Sequence, residues 1–547
     1  MRSSRSEEPD VTAENRHGDG WAKRLAVLLV CFFLFHLLKS LFLGVHVDEA
    51  NWWMQSRHLS AGYYFHPPFT AFMVRAGTLI FGEGAVGLRM VHLIFATASL
   101  ALAYLLCREL GLEGRWSFFT ILLLAFLPFT NYWITMVVVD TPMVFFSLLF
   151  AIFARRAVFN GEGKYWYWAG LAAGFMLLSK LQSALFLLGL LLFLLTSPDF
   201  RAQLKRKEPY LALALALAVM APTITWYALH HFEPIVYQVT SRPGFLHGGP
   251  GEYLAKVVKH VGWEALALSP FVYLFSLFGL VYGGHRGFVE RRNELLFPFW
   301  LALPGIVFFT LTGGPPRWGF SSHLFSLVLA MASAVTLLGV DPRPRARRLW
   351  KAVYGGLFLF PCLAVTSLTL YLSAASSSEH TGWKEVANAV EGLASQGYGG
   401  EELPPVVASP YYFIPSEIAY HNRGSSLDYT VAFLVYENEV MCDDSSYSPW
   451  VPLDDLEGRD FLFVDERDNP DGFQTPVSFW ERKLAPYFRE VSEPLVLRVH
   501  SSGEEREFYI FRCAGFRGPD VDMDRKGEAR RYVESFPPEA DMAGGPP

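Results

Sequence analysis

WAKRLAVLLVCFFLFHLLKSLFLGVHVDEA, residues 21–50, decides the class of this chain. Behind Lys23 and Arg24 runs an apolar stretch of the roughly 20 residues that a helix needs to cross a bilayer. No small-residue cleavage site follows it, so it reads as a retained first span and not as a cleaved signal. Just past its far end stand three residues of another kind, Asp48-Glu49-Ala50.

Comparable stretches recur as far as Ser373, near 22–43, 86–106, 117–133, 140–154, 166–179, 181–197, 209–229, 263–283, 294–312, 321–340 and 351–373. Eleven spans make an α-helical polytopic membrane protein. Composition agrees: 52% of the 547 residues are hydrophobic and 18% charged, against about 25% charged in ordinary soluble domains. A formal charge of −6 lacks the basic excess of a nucleic-acid binder, so no nucleic-acid partner is expected. Five cysteines without a CxxC pair exclude a disulfide scaffold and give no metal cluster. Only Cys442 and Cys513 lie in polar sequence, where they could pair in an oxidising compartment.

Lys and Arg accumulate in cytoplasmic loops. With the tail 1–21 inside, every even-numbered span returns the chain to a basic loop, at 108–115, 155–164, 201–207, 286–292 and 343–351. An odd count then exports the C-terminus. From about 376 the composition becomes mixed and polar, with helical spacing over 383–393 and short strands near 405–408, 461–464, 495–499 and 508–511. This reads as an extracytoplasmic α/β domain over 376–515, followed by a tail, 516–547, rich in Pro, Gly and charge, for which disorder is expected.

The chemistry-bearing residues fall in the outer loops. The first, 44–85, is too long for a connector and holds His46, Asp48, Glu49, Tyr63, Tyr64, His66 and Arg75. Its aromatic residues suit the headgroup level. Asp48 lies close to a low-dielectric boundary, which suits a general base; it is equally well placed to cap a helix beginning at Glu49. Asp140, in Val139-Asp140-Thr141-Pro142, is a second acid at the outer end of an apolar segment, again either functional or a cap. Lys180 separates two apolar runs and either snorkels to the interface or meets an anionic headgroup. The loop from His230 to Gly262 adds Gln238, Arg242, His247, Lys256 and Lys259, and Gly313 to Trp318 adds Arg317. Arg75, Lys180, Arg242 and Arg317 thus share a side with Asp48 and Asp140, and such cations suit phosphate.

These residues resemble a family. Asp48-Glu49-Ala50 after the first span, Gly62-Tyr63-Tyr64-Phe65-His66-Pro67-Pro68, Arg75, Phe81-Gly82, Arg89, Asp140-Thr141-Pro142 and Leu178-Ser179-Lys180 look like the GT-C glycosyltransferases related to protein O-mannosyltransferases and the aminoarabinose transferase of lipid A. The likeness covers roughly 22–245. It implies a bacterial inner-membrane enzyme that moves a sugar, with inversion, from a polyprenyl-phosphate donor to a hydroxyl or phosphate acceptor on a protein, lipid or glycan outside the cytoplasm. Carried over, Asp48 is the base, with Glu49 beside it. Lys180, Arg75 and Arg242 grip the donor phosphate, joined by Arg317, while His66, Tyr63, Tyr64 and Gln238 position substrate. Asp140 orients the acceptor or, as the alternative, holds a divalent cation. Val138 and Tyr227 depart from the residues common at their positions, Thr and Asn, and the stretch 313–323 differs from the lipid A enzymes.

The leaving group is a phosphate monoester with a second pKa near 6, so it departs without a general acid. Two other readings stay open. One is a transporter or flippase of a lipid-linked phosphate, which would favour charges at mid-bilayer depth and broken helices; the other is transfer of a whole oligosaccharide.

Overall fold

The computed structural model describes residues 11–63, 65–232, 234–236, 250–313, 318–340, 381–395, 405–424, 431–437, 440–443, 453–467, 477–501 and 504–518. The expected span 351–373 and the tail beyond 518 lie outside them. Chain contacts divide the protein into two compact units, one of residues 1–43 and 59–374 and one of residues 44–58 and 375–547.

The first unit is helical: α1 Val11–Phe42, then, after α2 Val47–Arg57 of the other unit, α3 Phe69–Phe81, α4 Ala85–Glu109, α5 Gly114–Ala125, α6 Pro128–Trp133, α7 Asp140–Phe159, α8 Lys164–Ser179, α9 Ala184–Thr196, α10 Glu208–Leu229, α11 Pro250–Leu268, α12 Pro270–Phe278, α13 Gly284–Val289, α14 Asn293–Thr312 and α15 Phe320–Val340. Among the described residues six helices are long and apolar enough to cross a bilayer, or seven if a bent pair counts as one. The expected spans 166–179 and 181–197 form helices of 16 and 13 residues, short of that length, and two other expected spans are broken. The stretch 117–133 divides between α5 and α6 ahead of Pro128, because proline cannot donate to the preceding turn. The stretch 263–283 straddles a bend of 104° between α11 and the helix that starts at Pro270. Ser269 takes a left-handed φ of 71° there, and its side chain accepts from the Val272 N–H, which offsets part of the backbone cost.

Small residues set how closely the helices approach. A Cβ on Gly170 of α8 would lie 2.3 Å from the Ala212 carbonyl oxygen of α10, and one on Gly174 would lie 2.6 Å from Val219. Two glycines four apart on one face let two backbones meet, which is how apolar helices gain dispersion contact where water supplies no drive. Arg89, 1% exposed, donates to the carbonyls of Ser40 and Leu43 and so satisfies acceptors at the C-terminal end of α1 that the helix leaves open. At the opposite ends of α4 and α7, Glu109 pairs with Arg155 and Arg156 at 2.8 and 2.7 Å. The basic loops at 108–115 and 155–164 therefore lie side by side.

The second unit is a seven-stranded sheet: β1 Val406–Ser409, β2 Val431–Glu437, β3 Val440–Asp443, β4 Phe461–Glu466, β5 Phe488–Val491, β6 Leu495–Ser501 and β7 Glu504–Phe516. Their order is β3-β2-β1-β4-β7-β5, with β6 also on β7; β2, β1 and β4 run parallel and the remaining pairs antiparallel. Side chains alternate across the pleat. Phe461 and Phe463 face Trp480 and Leu484 of α18 Val477–Leu484. Leu462 and Val464 face α16 Trp383–Ser395 and α17 Phe413–His421. The sheet is thus covered on both faces, as its continuous apolar run in β4 requires.

The pairing of Cys442 with Cys513 does not occur. Cys513 is a free, buried thiol on β7, four strands from Cys442 on β3, or about 19 Å at the usual strand spacing. A disulfide needs Cα atoms within about 7 Å.

The α8–α10 contact yields a prediction. Gly170→Val should force the two backbones apart at an overpacking cost of about 1–3 kcal/mol, read as a lower unfolding midpoint of the detergent-solubilised protein. An unchanged midpoint would contradict the close approach.

Candidate active site

Helix α8 ends where Lys180 turns extended, at φ −161° and ψ 125°, before a short 3-10 turn at Leu181–Ser183 leads into α9. Helix α7 begins at Asp140, where its carboxylate meets the positive end of the helix dipole. The two termini meet: Lys180 Nζ donates to Asp140 Oδ1 at 2.9 Å, with side chains 7% and 16% exposed. Lys180 does not snorkel. Both residues were singled out by sequence, but for different partners, the lysine for phosphate and the acid for an acceptor or cation. The ammonium also lies 5.7 Å from the centre of the Trp318 ring, whose backbone carbonyl accepts from Gln182 Nε2 at 3.0 Å.

Asp140 sits at the edge of an open-sided cavity of about 70 Å³, lined mostly by apolar side chains such as Leu100, Leu124, Trp133, Val144 and Phe320. Val138 is in that lining too, which gives the departure at that position a local consequence, a methyl surface where a hydroxyl is common. Ser99, Thr130 and Thr141 add hydroxyls to the lining, and Thr141 bonds His92 Nε2 at 3.0 Å. The lining suits an aliphatic group with a polar end near Asp140. Among the described residues no three His, Cys, Asp or Glu side chains converge as a metal site, and the Asp140 carboxylate already meets an ammonium.

Sequence reasoning missed a second polar group in this unit. Glu264 on α11, 2% exposed, lies 3.3 Å from His260 Nε2 and 3.3 Å from His323 Nε2, and His323 Nδ1 meets Ser276 Oγ at 2.8 Å. A Cβ on Gly319 would come within 2.2 Å of Glu264 Oε1, so this network abuts the turn that carries Trp318. The available signal was His323 inside an apolar run, an expensive position for an ionisable group.

The long loop 44–85, expected on the outer side, is not one element. Residues 44–58 belong to the second unit and residues from 59 onward to the first. In the first, Thr223 of α10 donates to the Ala61 carbonyl, and a Cβ on Gly62 would lie 2.5 Å from the Trp226 ring. Only glycine fits between the loop and that indole. Tyr63, expected to position substrate, is 2% exposed and accepts from the Ser60 N–H; burial pushes its phenol up to about 12. It braces the loop. His66 is half-buried just before α3, and Arg75 is half-buried within it. Tyr64, Gln238, Arg242 and Arg317 lie outside the described residues.

In the second unit α2 starts with a capping box in which His46, not Asp48, is the cap. His46 Nδ1 accepts from the Asp48 N–H at 3.1 Å, while Glu49 Oε2 accepts from the His46 N–H at 3.0 Å. Glu49, proposed from sequence as catalytic, is fully buried and spent on this structural bond. Asp48 is thereby released from capping; its side chain is 31% exposed, and Oδ1 accepts from the hydroxyl of Tyr412 at 2.8 Å. Tyr412 was not foreseen, since nothing in the spacing of two residues 364 apart signals a contact.

Residues 65–226 match the model of the dolichyl-phosphate-mannose-protein mannosyltransferase family. The chain is 26% identical over 363 residues to the lipid A galacturonosyltransferase RgtD of Rhizobium johnstonii, covering 64% of this chain and 73% of that protein. It is 27% identical over 345 residues to an undecaprenyl phosphate-alpha-4-amino-4-deoxy-L-arabinose arabinosyl transferase of Pseudomonas aeruginosa, covering 57% of this chain and 59% of that one. Among solved structures it is similar to ArnT from Cupriavidus metallidurans. The apo state gives a TM-score of 0.58 at 15% identity over 89% of this chain and 98% of that one. The state bound to undecaprenyl phosphate gives 0.57 at 16% over 89% and 97%. The chain therefore has the fold of the GT-C glycosyltransferases.

Proposed function

We propose that this protein transfers a sugar from a polyprenyl-phosphate carrier to a hydroxyl or phosphate acceptor on the extracytoplasmic face of a bacterial inner membrane, with inversion. The observation that carries this reading is the apolar cavity with Asp140 at its edge and Lys180 paired to that acid. An isoprenoid chain matches such a lining by chemistry, and its phosphate matches the ammonium. The matched relatives, which are named for undecaprenyl phosphate-linked aminoarabinose and for galacturonosyl transfer to lipid A, support the donor class and leave sugar and acceptor to experiment.

In this reading the acceptor oxygen forms a bond to the anomeric carbon as the bond from that carbon to the phosphate oxygen breaks. Asp48 takes the acceptor's proton. The electron pair leaves with the phosphate, where Lys180 stabilises the growing charge, an effect worth about 3 kcal/mol per donor in other enzymes. Asp140 holds Lys180 in place and orients the acceptor. Arg75, Arg242 and Arg317 remain proposed phosphate contacts, and His66, Tyr64 and Gln238 proposed positioning groups.

Two outcomes are expected. Asp48→Asn should lower transfer from labelled undecaprenyl-phosphate sugars by about a hundredfold or more, the usual contribution of a general base; a folded variant with near-normal transfer would remove Asp48 from the role. Lys180→Met alone leaves the Asp140 carboxylate without its ammonium and should destabilise by roughly 3–5 kcal/mol. The double variant Lys180→Met with Asp140→Leu should recover most of that in the unfolding midpoint, yet stay weak in binding undecaprenyl phosphate. A double variant no more stable than the single one would show that the pair does not act as a unit.

A further inference from the structure

The carboxylate proposed as base stands outside residues 65–226, which carry the family match. Asp48 lies on α2, which belongs with residues 375–547, and its partner there is Tyr412, the residue that leads into α17. The tyrosine is itself held. Its backbone carbonyl accepts from Ser416 Oγ at 2.7 Å, and its ring meets Phe413 edge-on at 5.7 Å. The two helices are packed together, Trp53 of α2 meeting Tyr420 of α17 edge-on at 5.5 Å, with Val47 against the cluster that contains Ile414 and Ile418. The backbone beneath Asp48 is fixed as well, by the capping box of His46 and Glu49. A carboxylate on a fixed backbone still turns about two side-chain bonds. A phenol bonded to one oxygen removes that freedom and sets the direction of the other.

We propose that Tyr412 is a positioning residue for the transfer reaction: its hydroxyl holds Oδ1 of Asp48 at 2.8 Å, so the C-terminal domain serves the proton-transfer step and not acceptor binding alone. The proposal rests on the reading of Asp48 as base. Tyr412 exchanges no proton with substrate; the acceptor's proton goes to Asp48, the new carbon–oxygen bond forms at the anomeric centre, and the phosphate departs with its electron pair. Geometry of this kind matters because small displacements of a base from its line of attack cost rate steeply.

Tyr412→Phe keeps the ring and removes the O–H. The test uses the full chain in nanodiscs. Undecaprenyl phosphate-linked 4-amino-4-deoxy-L-arabinose and galacturonic acid serve as donors, and lipid A and a total membrane extract as acceptors. The expected result is a kcat lower by roughly tenfold, the scale of one lost hydrogen bond to a charged group, with donor KM and unfolding midpoint unchanged. The solvent deuterium isotope effect on kcat should rise, because proton transfer becomes slower relative to the other steps. A wild-type kcat would overturn the proposal, as would a loss that comes with a lower midpoint and an unchanged isotope effect. Asp48→Asn, assayed in parallel, separates the two readings. If it is fully active, the base assignment fails and the Tyr412 role with it; if it is inactive while Tyr412→Phe is not impaired, only the positioning role fails.

Discussion

An ammonium and a carboxylate 2.9 Å apart among apolar helices constrain the membrane unit more than any other contact described. Neither charge is tolerable there alone, since the penalty for removing an ion from water exceeds what packing returns. Together they tie the start of α7 to the end of α8, and α8 is in turn held to α10 by glycines that leave no room for a side chain. The end of α8 is therefore fixed from two directions. A lysine so held loses little conformational entropy when an anion arrives, which is the physical meaning of preorganisation.

Much of the architecture was legible because bilayers impose length and charge rules that act residue by residue. The long apolar runs mark helices, and the pairing of Glu109 with Arg155 and Arg156 joins two loops assigned to one side by their basic content alone. Local chemistry was legible less often. Asp48 has the look of a cap, but an imidazole two residues earlier takes that role, leaving the acid for Tyr412. The glutamate beside it, attractive as a second catalytic acid, closes the capping box. Lys180 and Asp140 were each recognised as costly charges, while their mutual bond depends on how two helix ends meet in space, which no spacing encodes.

The bend at Ser269 shows the same limit from the other direction. Hydropathy runs smoothly across 263–283, so the stretch reads as one span; the Ser-Pro step in its middle breaks it, and the preceding helix carries Glu264 into contact with His260 and His323. Periodicity averages over such a break. The C-terminal sheet behaves differently, because its alternation is strict: Phe461 and Phe463 go to one face, Leu462 and Val464 to the other, and both faces need cover. What remained hidden there was the contribution of α2, drawn from a segment more than 300 residues away in the chain.

That borrowed helix makes the second unit depend on two distant parts of the chain. Residues 44–58 emerge early in synthesis, yet Trp53 meets Tyr420 and Val47 joins the cluster of Ile414 and Ile418 only when the ribosome has produced the helices beyond 375. Closing so large a loop carries an entropic toll and makes late, non-local assembly the slow event. Until then the Trp53 indole waits without Tyr420, a natural substrate for chaperones or proteases. A nascent chain arrested before 375 could insert all its described membrane helices and still lack a finished α2.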